Sequence, residues 1–421
     1  MPSIYPVSLG CAKNKADFEK LLWVLRAQGH EIVLLPEEAD IFWINTCAFI
    51  RPAVEEALEH IFELGEIKKP HQKLVVSGCL TARYGKEKLK ELLPEVDEFY
   101  GIEPYRLFVN KEPVERLLTE SPFYAYLKIA EGCNHRCTYC TIPRIRGKYR
   151  SLPLEHLVKE AEFLLSQGVK EIILVAQDLA PYGRDLCPAT DLISLLKALN
   201  SIEEEFRIRM LYLNPVAFEK DFLEQVLELE KVVPYFEVPV QHAHPDVLKK
   251  MRRKFSVERF LETVKFLRRW RPLACIRTTV MVGFPGEGEK EFEMLLEFLK
   301  EVEFDYLGVF IFYPEEGTEA EKFFPRVSYK EKVARKRQVL KLQREVTKKR
   351  LKSRVGEGEE VLFLGEDIKG RPFGIARCQA PEIDGITYLN FKKADPLPGD
   401  LVKVKVKRSG LYDLWAEVIK E

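Results

Sequence analysis

The sequence predicts an α/β protein with a small all-β end, and three observations carry this. In residues 1–118, three short apolar runs each end at a cysteine, and each is followed by a helical pattern. In residues 119–354, six apolar runs alternate with amphipathic stretches. From residue 355 to 421 the helical periodicity stops and short β runs recur about every ten residues. A chain of 421 residues has room for two or three domains. Its 66 Lys+Arg balance 66 Asp+Glu, so no global basic field announces a nucleic-acid binder. No run of about 18 apolar residues exists and the first residues form no signal-peptide core. This predicts a cytoplasmic protein with no membrane partner.

In the first section, Ile4–Leu9 leads into Gly10-Cys11, Ile41–Ile44 into Asn45-Thr46-Cys47, and Lys73–Val76 into Ser77-Gly78-Cys79. Helical spacing follows over Lys15–Gln28, Pro52–Leu64 and Gly85–Leu93. Strands alternating with helices imply a parallel sheet, whose ligands bind beyond the carboxyl ends of the strands. Cys11, Cys47 and Cys79 all sit at that end, so they can converge although distant in sequence. One buried strand-end cysteine is ordinary. Three in the same placement point to a shared iron–sulfur cluster in which one iron has no protein ligand.

In the second section the strands are Tyr124–Ala130, Glu171–Ala176, Arg207–Leu213, Tyr235–Gln241, Ala274–Val282 and Tyr306–Phe312. Helical patterns separate them, for example Leu154–Ser166, Phe218–Leu229, Val257–Trp270 and Glu287–Val302. Six such units make a partial (β/α)6 barrel with its active site at the carboxyl ends of the strands. Gly283-Phe284-Pro285-Gly286 follows the fifth strand. Alone it is a turn signal, but on the rim its glycines let backbone approach a ligand. Gln177 and Asp178 after the second strand, and Gln241 and His242 after the fourth, read equally as rim ligands or as loop and capping residues.

Ser328–Arg354 is a helical stretch with 12 Lys+Arg against 2 Asp+Glu. It reads as a solvated face or as a contact with RNA phosphates. The third section has β runs at Glu360–Leu364, Gly374–Cys378, Gly385–Phe391, Leu401–Lys407 and Tyr412–Ile419, the pattern of a five-stranded barrel. Its 10 Lys+Arg against 12 Asp+Glu lean away from RNA and toward a protein target.

The most informative run is Glu131-Gly132-Cys133-Asn134-His135-Arg136-Cys137-Thr138-Tyr139-Cys140, a C-x3-C-x2-C pattern following the first barrel strand. A 4Fe-4S cluster normally takes four cysteines, so three leave an iron open for chemistry. Zinc is the competing reading, but zinc motifs bring paired C-x2-C units, and His135 is too close in sequence to complete a tetrahedron easily. Cys187, Cys275 and Cys378 read as small buried or incidental residues.

The C-x3-C-x2-C spacing resembles that of the radical S-adenosylmethionine (SAM) enzymes, and the whole chain resembles the methylthiotransferases. Ser8-Leu9-Gly10-Cys11-Ala12-Lys13-Asn14, Asn45-Thr46-Cys47 and Gly78-Cys79-Leu80 are similar to the cysteine sites of that family's N-terminal domain. Ile142-Pro143 with Arg146-Gly147, Leu174–Asp178, Glu315-Glu316-Gly317-Thr318 and Ala380-Pro381-Glu382-Ile383-Asp384-Gly385 resemble the ribosomal-protein branch, RimO, rather than the transfer-RNA branch, MiaB. The last stretch lies in the domain expected to meet the macromolecular substrate. Phe18, Leu179-Ala180 and His244 depart from the family pattern, where hydroxyl residues are usual.

The resemblance implies an N-terminal methylthiotransferase domain (1–118), a radical SAM core (119–354) and a C-terminal TRAM barrel (355–421). It implies two 4Fe-4S clusters, one on Cys133, Cys137 and Cys140 that cleaves SAM to a 5′-deoxyadenosyl radical. The other, on Cys11, Cys47 and Cys79, carries the sulfur. Tyr139, Gln177, Gly283 and Pro285 become the candidate SAM contacts. The implied product is a methylthio group on the β-carbon of an aspartate in small-subunit ribosomal protein twelve. The implied partners are that protein, an electron donor such as flavodoxin or ferredoxin, and ribosomal RNA. A transfer-RNA methylthiotransferase, a non-catalytic metal-binding RNA adaptor and a radical methylase without sulfur insertion are the alternatives.

Overall fold

The computed structural model describes residues 1–391 and 396–419, so residues 392–395 and 420–421 of the third predicted section lie outside it. Its first sheet is fully parallel, in the order β2-β1-β3-β4-β5: β1 (Ser3–Ser8), β2 (Glu31–Ile32), β3 (Ile41–Thr46), β4 (Lys73–Gly78) and β5 (Glu98–Phe99). The two-residue edge strands β2 and β5 are too short to show a period, and sequence reasoning passes over them. Register aligns the strand ends, Ser8 with Asn45 and Thr46 with Gly78. Chain leaving these strands therefore emerges along one edge. Helices α1 (Ala12–Ala27) and α2 (Arg51–Ile67) follow β1 and β3. The third predicted helix is two, α3 (Cys79–Tyr84) and α4 (Lys86–Leu92), broken where Gly85 takes a left-handed φ of +85°. Phe18, a departure from the family pattern, is a core residue of α1, packed with Leu21, Leu22, Trp43 and Tyr105.

The second sheet runs β6 (Tyr124–Lys128), β9 (Glu171–Val175), β10 (Arg207–Met210), β11 (Val232–Glu237), β12 (Cys275–Val282) and β13 (Tyr306–Ile311), all parallel and in chain order. This is the open (β/α)6 barrel. β7 (Ala130–Glu131) and β8 (Arg150–Ser151) form an antiparallel pair that brackets the C-x3-C-x2-C loop. Side chains alternate along each strand. Ala125, Leu127, Ile172 and Leu174 face the helices, while Tyr124, Tyr126, Ile173 and Val175 face the concave side.

That concave side is closed by the third unit, a five-stranded closed barrel of β14 (Gly358–Glu366), β15 (Pro372–Ala376), β16 (Thr387–Asn390), β17 (Leu401–Ser409) and β18 (Leu414–Val418). Val361, Ala376 and Ala380 share one apolar cluster with Tyr126, Val175 and Tyr235. Buried Arg207 and Arg209, held by Glu171, donate to the carbonyls of Ile375 and Arg377 at 2.6 and 2.9 Å.

The Ala380–Gly385 stretch of this domain lies against the parallel barrel, with Asp384 turned inward. Asp384 accepts from Arg277 at 2.6 Å and from the Tyr235 hydroxyl at 2.7 Å. Glu382 accepts from Tyr126 at 2.7 Å and from Lys15 of α1 at 2.6 Å. A buried carboxylate needs such partners, and the barrel supplies them. The stretch therefore joins all three units.

The basic helix runs Tyr329–Lys352 and packs through Val339, Val346 and Leu351. Arg337, Lys341, Arg344, Lys348 and Lys352 recur every three or four residues on its outer face and are exposed.

Candidate functional site

Both cysteine trios open onto one cavity of about 390 Å³. Its wall includes Cys11, Cys47, Cys79, Cys133, Cys137 and Cys140, with Tyr139 and Gln177. The cavity lies where the carboxyl ends of both parallel sheets meet, as the strand-end rule requires.

The first trio is set by backbone and amide groups. Gly10, at φ +96°, admits Cys47, because a Cβ there would stand 2.6 Å from the Cys47 Cβ. Cys11 caps α1, its carbonyl accepting from Asn14 N at 2.8 Å. Asn14 Nδ2 donates to the carbonyls of Leu9 and Thr46, and Asn45 Nδ2 donates back to the Asn14 carbonyl at 3.0 Å. These bonds tie the ends of β1 and β3 together. The second trio sits on a loop whose Cys133 N–H donates to Gly147 O at 3.1 Å. Gly132 has φ +76°, and a Cβ there would meet Lys148 O at 2.1 Å. Thr141 Oγ1 donates to Phe49 O at 3.0 Å and so joins this loop to the first unit.

The spacing of the sulfurs decides between metals. Tetrahedral zinc at about 2.3 Å per thiolate needs sulfurs roughly 3.8 Å apart. Among the described residues, only Asp17, Glu103 and Glu131 bring three ligand atoms within 4.8 Å of one another. Neither cysteine trio is among them, so neither is gathered as tightly as one zinc requires. The acidic trio surrounds the Lys128 ammonium, which bonds Asp17, and Glu103 and Glu131 at 3.1 Å each. His135 is no ligand in waiting either, since its Nε2 lies 2.7 Å from Asp178.

Electrostatics differ between the thiols. Burial pushes Cys47 and Cys140 up to about 12 and Cys133 up to about 11. At Cys11 burial acts in the same sense, but Lys13 and Arg146 outweigh it and hold the thiol below the usual range. Arg146 also donates to Cys79 Sγ at 3.4 Å while pairing with Glu131 at 2.8 Å. Burial pushes the Glu237 carboxyl up to about 7 against the pull of Arg277.

Tyr139 lines the cavity and packs edge-on against Phe284, ring centres 6.3 Å apart. Gly283 and Pro285 are not in the lining; their loop stands behind Tyr139, with Phe284 also on Phe312 at 5.1 Å. The Gly283 N–H is taken up by the Glu287 carboxylate at 2.9 Å. Gln177 donates to Glu131 at 3.2 Å, and its Oε1 is buried with no partner, an acceptor left open in the wall. Gln241 lines the cavity, whereas His242 is wholly buried beside Glu287. Both Gln241 (φ +71°) and Tyr212 (φ +68°) hold left-handed backbone at strand ends, a strain typical of functional rims. His244, another departure, caps the helix Pro245–Met251 by accepting from Asp246 N at 3.2 Å, the task a Ser performs.

Sequence reasoning passed over Lys13, Arg146, Tyr212, Glu237 and Arg253 as site residues, all of which line the cavity. Lys13, two residues from Cys11, and Arg146, six past Cys140, stood inside quoted motifs, and a charged residue within a motif beside ligand cysteines was the available signal. Tyr212, Glu237 and Arg253 carried none.

The chain is similar to known proteins throughout. Residues 3–101 match the uncharacterized protein family UPF0004, 127–299 the radical SAM superfamily and 355–419 the TRAM domain. It is 42% identical to the ribosomal protein uS12 methylthiotransferase RimO of Aquifex aeolicus, over 97% of this chain and 95% of that one. The counterpart from Carboxydothermus hydrogenoformans is 40% identical over 99% of each. Among solved structures, the radical SAM methyltransferase TsrM of Kitasatospora setae aligns with a TM-score of 0.53 at 16% identity, covering 76% of each chain, a likeness of fold.

Proposed function

The chain belongs to the RimO family of ribosomal protein uS12 methylthiotransferases, and on that premise we propose that it places a methylthio group on the β-carbon of a uS12 aspartate. The observation that carries the mechanism is that two three-cysteine sets open onto one cavity. We assign the auxiliary 4Fe-4S cluster to Cys11, Cys47 and Cys79, and the SAM-binding cluster to Cys133, Cys137 and Cys140. When bound, the clusters and SAM supply the electron, the hydrogen-abstracting radical and the sulfur. The chain's own task is to bring sulfur and target carbon together, which is worth several orders of magnitude in rate.

Specific residues serve that task. Tyr139 and the Gly283–Pro285 loop behind it shape the SAM side of the cavity. The free Gln177 Oε1 accepts a SAM hydroxyl or amine. Arg146 and Arg253 set positive charge beside ligand sulfurs, Arg146 at Cys79 and Arg253 at Cys137. Phe49, Ile50, Ile142, Met281 and Phe312 give the wall an apolar lining that keeps water from a reactive carbon. Residues 1–118, 119–354 and 355–421 act as the three domains.

Among the described residues no helix is long and apolar enough to cross a membrane, and we place the protein in the cytoplasm with its ribosomal substrate. A small electron carrier such as flavodoxin or ferredoxin supplies the reducing electron. The outward row of Arg337, Lys341, Arg344, Lys348 and Lys352 meets ribosomal RNA phosphates while uS12 enters the cavity.

The test is mass spectrometry of uS12 after anaerobic incubation with iron-reconstituted enzyme, SAM, sulfide and a reductant. A gain of SCH3 for H on an aspartate is expected. Modification of transfer RNA with none of uS12 would refute the reading.

A further inference from the structure

We propose that the Lys13 ammonium binds the side-chain carboxylate of the target aspartate and thereby selects an acidic residue at the reacting position. This rests on the uS12 reading above. A carboxylate entering a largely apolar cavity loses its hydration and needs a cation in exchange. Three cations line the cavity: Lys13, Arg146 and Arg253.

Two are committed. Arg146 is shared among Glu131 at 2.8 Å, Asn14 Oδ1 at 3.2 Å, Asp17 at 3.4 Å and Cys79 Sγ at 3.4 Å. Arg253 donates to Pro239 O and to Cys137. Lys13 makes a single hydrogen bond, to Ala176 O at 3.2 Å, and lies 3.7 Å above the Tyr212 ring. Among the described residues no carboxylate reaches its ion-pair distance. An ammonium has three N–H donors, so two remain for a ligand.

The acidic groups of the wall have hydrogen-bond partners of their own, and Glu237 reaches Lys13 only through its field. Glu237 accepts from Tyr212 N at 2.6 Å, Asp178 pairs with His135 at 2.7 Å, and Glu315 with Arg83 at 2.7 Å. Lys13 is also fixed in place. It stands on the first turn of α1, two residues from Cys11, and α1 is clamped to the barrel by the pairs of Asp17 with Lys128 and Arg146. A carboxylate held there carries its neighbouring carbon to the sulfur side of the cavity. A neutral nucleobase would draw no comparable benefit from the charge.

The test compares purified uS12 with its variant carrying Asn at the target aspartate. Affinity for SAM-loaded, cluster-reconstituted enzyme is read by fluorescence anisotropy, beside methylthiolation kinetics. Wild type should favour the Asp form by about 10- to 100-fold in Kd, the worth of a charge-assisted hydrogen bond. In Lys13→Met the preference should fall to near unity, chiefly through weaker Asp binding. Lys13→Gln keeps a donor without charge. It should lose the same preference, and it serves if the Met variant fails to load iron. An Asp-to-Asn ratio in these variants equal to that of wild type would overturn the assignment. A wild-type enzyme that binds uS12 but never modifies it would instead sink the parent reading, and this one with it.

Discussion

Asp384→Ala probes whether the Ala380–Gly385 stretch is a structural joint or a substrate-reading surface. The Asp384 side chain is wholly buried and accepts from Arg277, from the Tyr235 hydroxyl and from Ala380 N at 2.6, 2.7 and 2.9 Å. Truncation leaves the Arg277 guanidinium without its carboxylate and Tyr235 without its acceptor. Breaking one side of a buried ion pair costs about 3–5 kcal/mol. Unfolding entropy of about 2.1 cal/mol/K per residue gives roughly 0.6 kcal/mol/K for a cooperative unit of about 300 residues, the barrel with its closing domain. The melting temperature should therefore fall by about 5–8 °C in differential scanning calorimetry of the reconstituted protein. Limited proteolysis should cut sooner between the basic helix and β14. Asp384→Asn keeps one acceptor oxygen and should lose less. The reasoning is refuted if Asp384→Ala melts with wild type but binds uS12 more weakly, because the stretch would then be reading substrate.

Three further predictions concern the site and its supports. Cys47→Ala should retain part of reductive SAM cleavage while product falls below detection, and Cys137→Ala should lose both; 5′-deoxyadenosine and modified uS12 are quantified separately, and each variant should hold about half the wild-type iron. Lys128→Met takes the shared ammonium from three carboxylates, leaving Asp17 and Glu131 with Arg146 and Glu103 with Arg106 and Arg150; it should lower the melting temperature, with a smaller deficit at pH 5 than at pH 8 because Asp17, whose carboxyl burial pushes up to about 6, then takes up a proton. Glu237 titrates near 7 when folded against about 4.5 when unfolded. Its folded value is raised, so the stability from its proton is full below about 4.5 and is lost as pH climbs through 7. Glu237→Gln should thus be more stable than wild type by up to about 3 kcal/mol at pH 8, with the gap closing near pH 4.5 in denaturant titrations.

Strand-end cysteines, two periodicities and the turn spacing of the last 67 residues were enough to read three units and both trios directly from the chain. Those signals are local: a strand's apolar run and the cysteine that follows it are neighbours in sequence. They also carry the cluster chemistry, since three thiols without a fourth leave an iron open wherever the fold puts them. That the two trios face one cavity was expected from the resemblance and its chemistry, not from any local signal. That Cys11 and Cys133 share a cavity depends on how α1 docks on β6, through Asp17, Lys128 and Glu131, and no run of residues announces a buried network spanning more than a hundred positions. The inward turn of Ala380–Gly385 was hidden for the same reason, as its acids look like surface charges until Arg277 and Tyr126 are found across from them. Lys13 reads as one more charge beside a cysteine, and only the packed cavity separates it from Arg146, whose charge carboxylates take up, and from Arg253, which stands at Cys137.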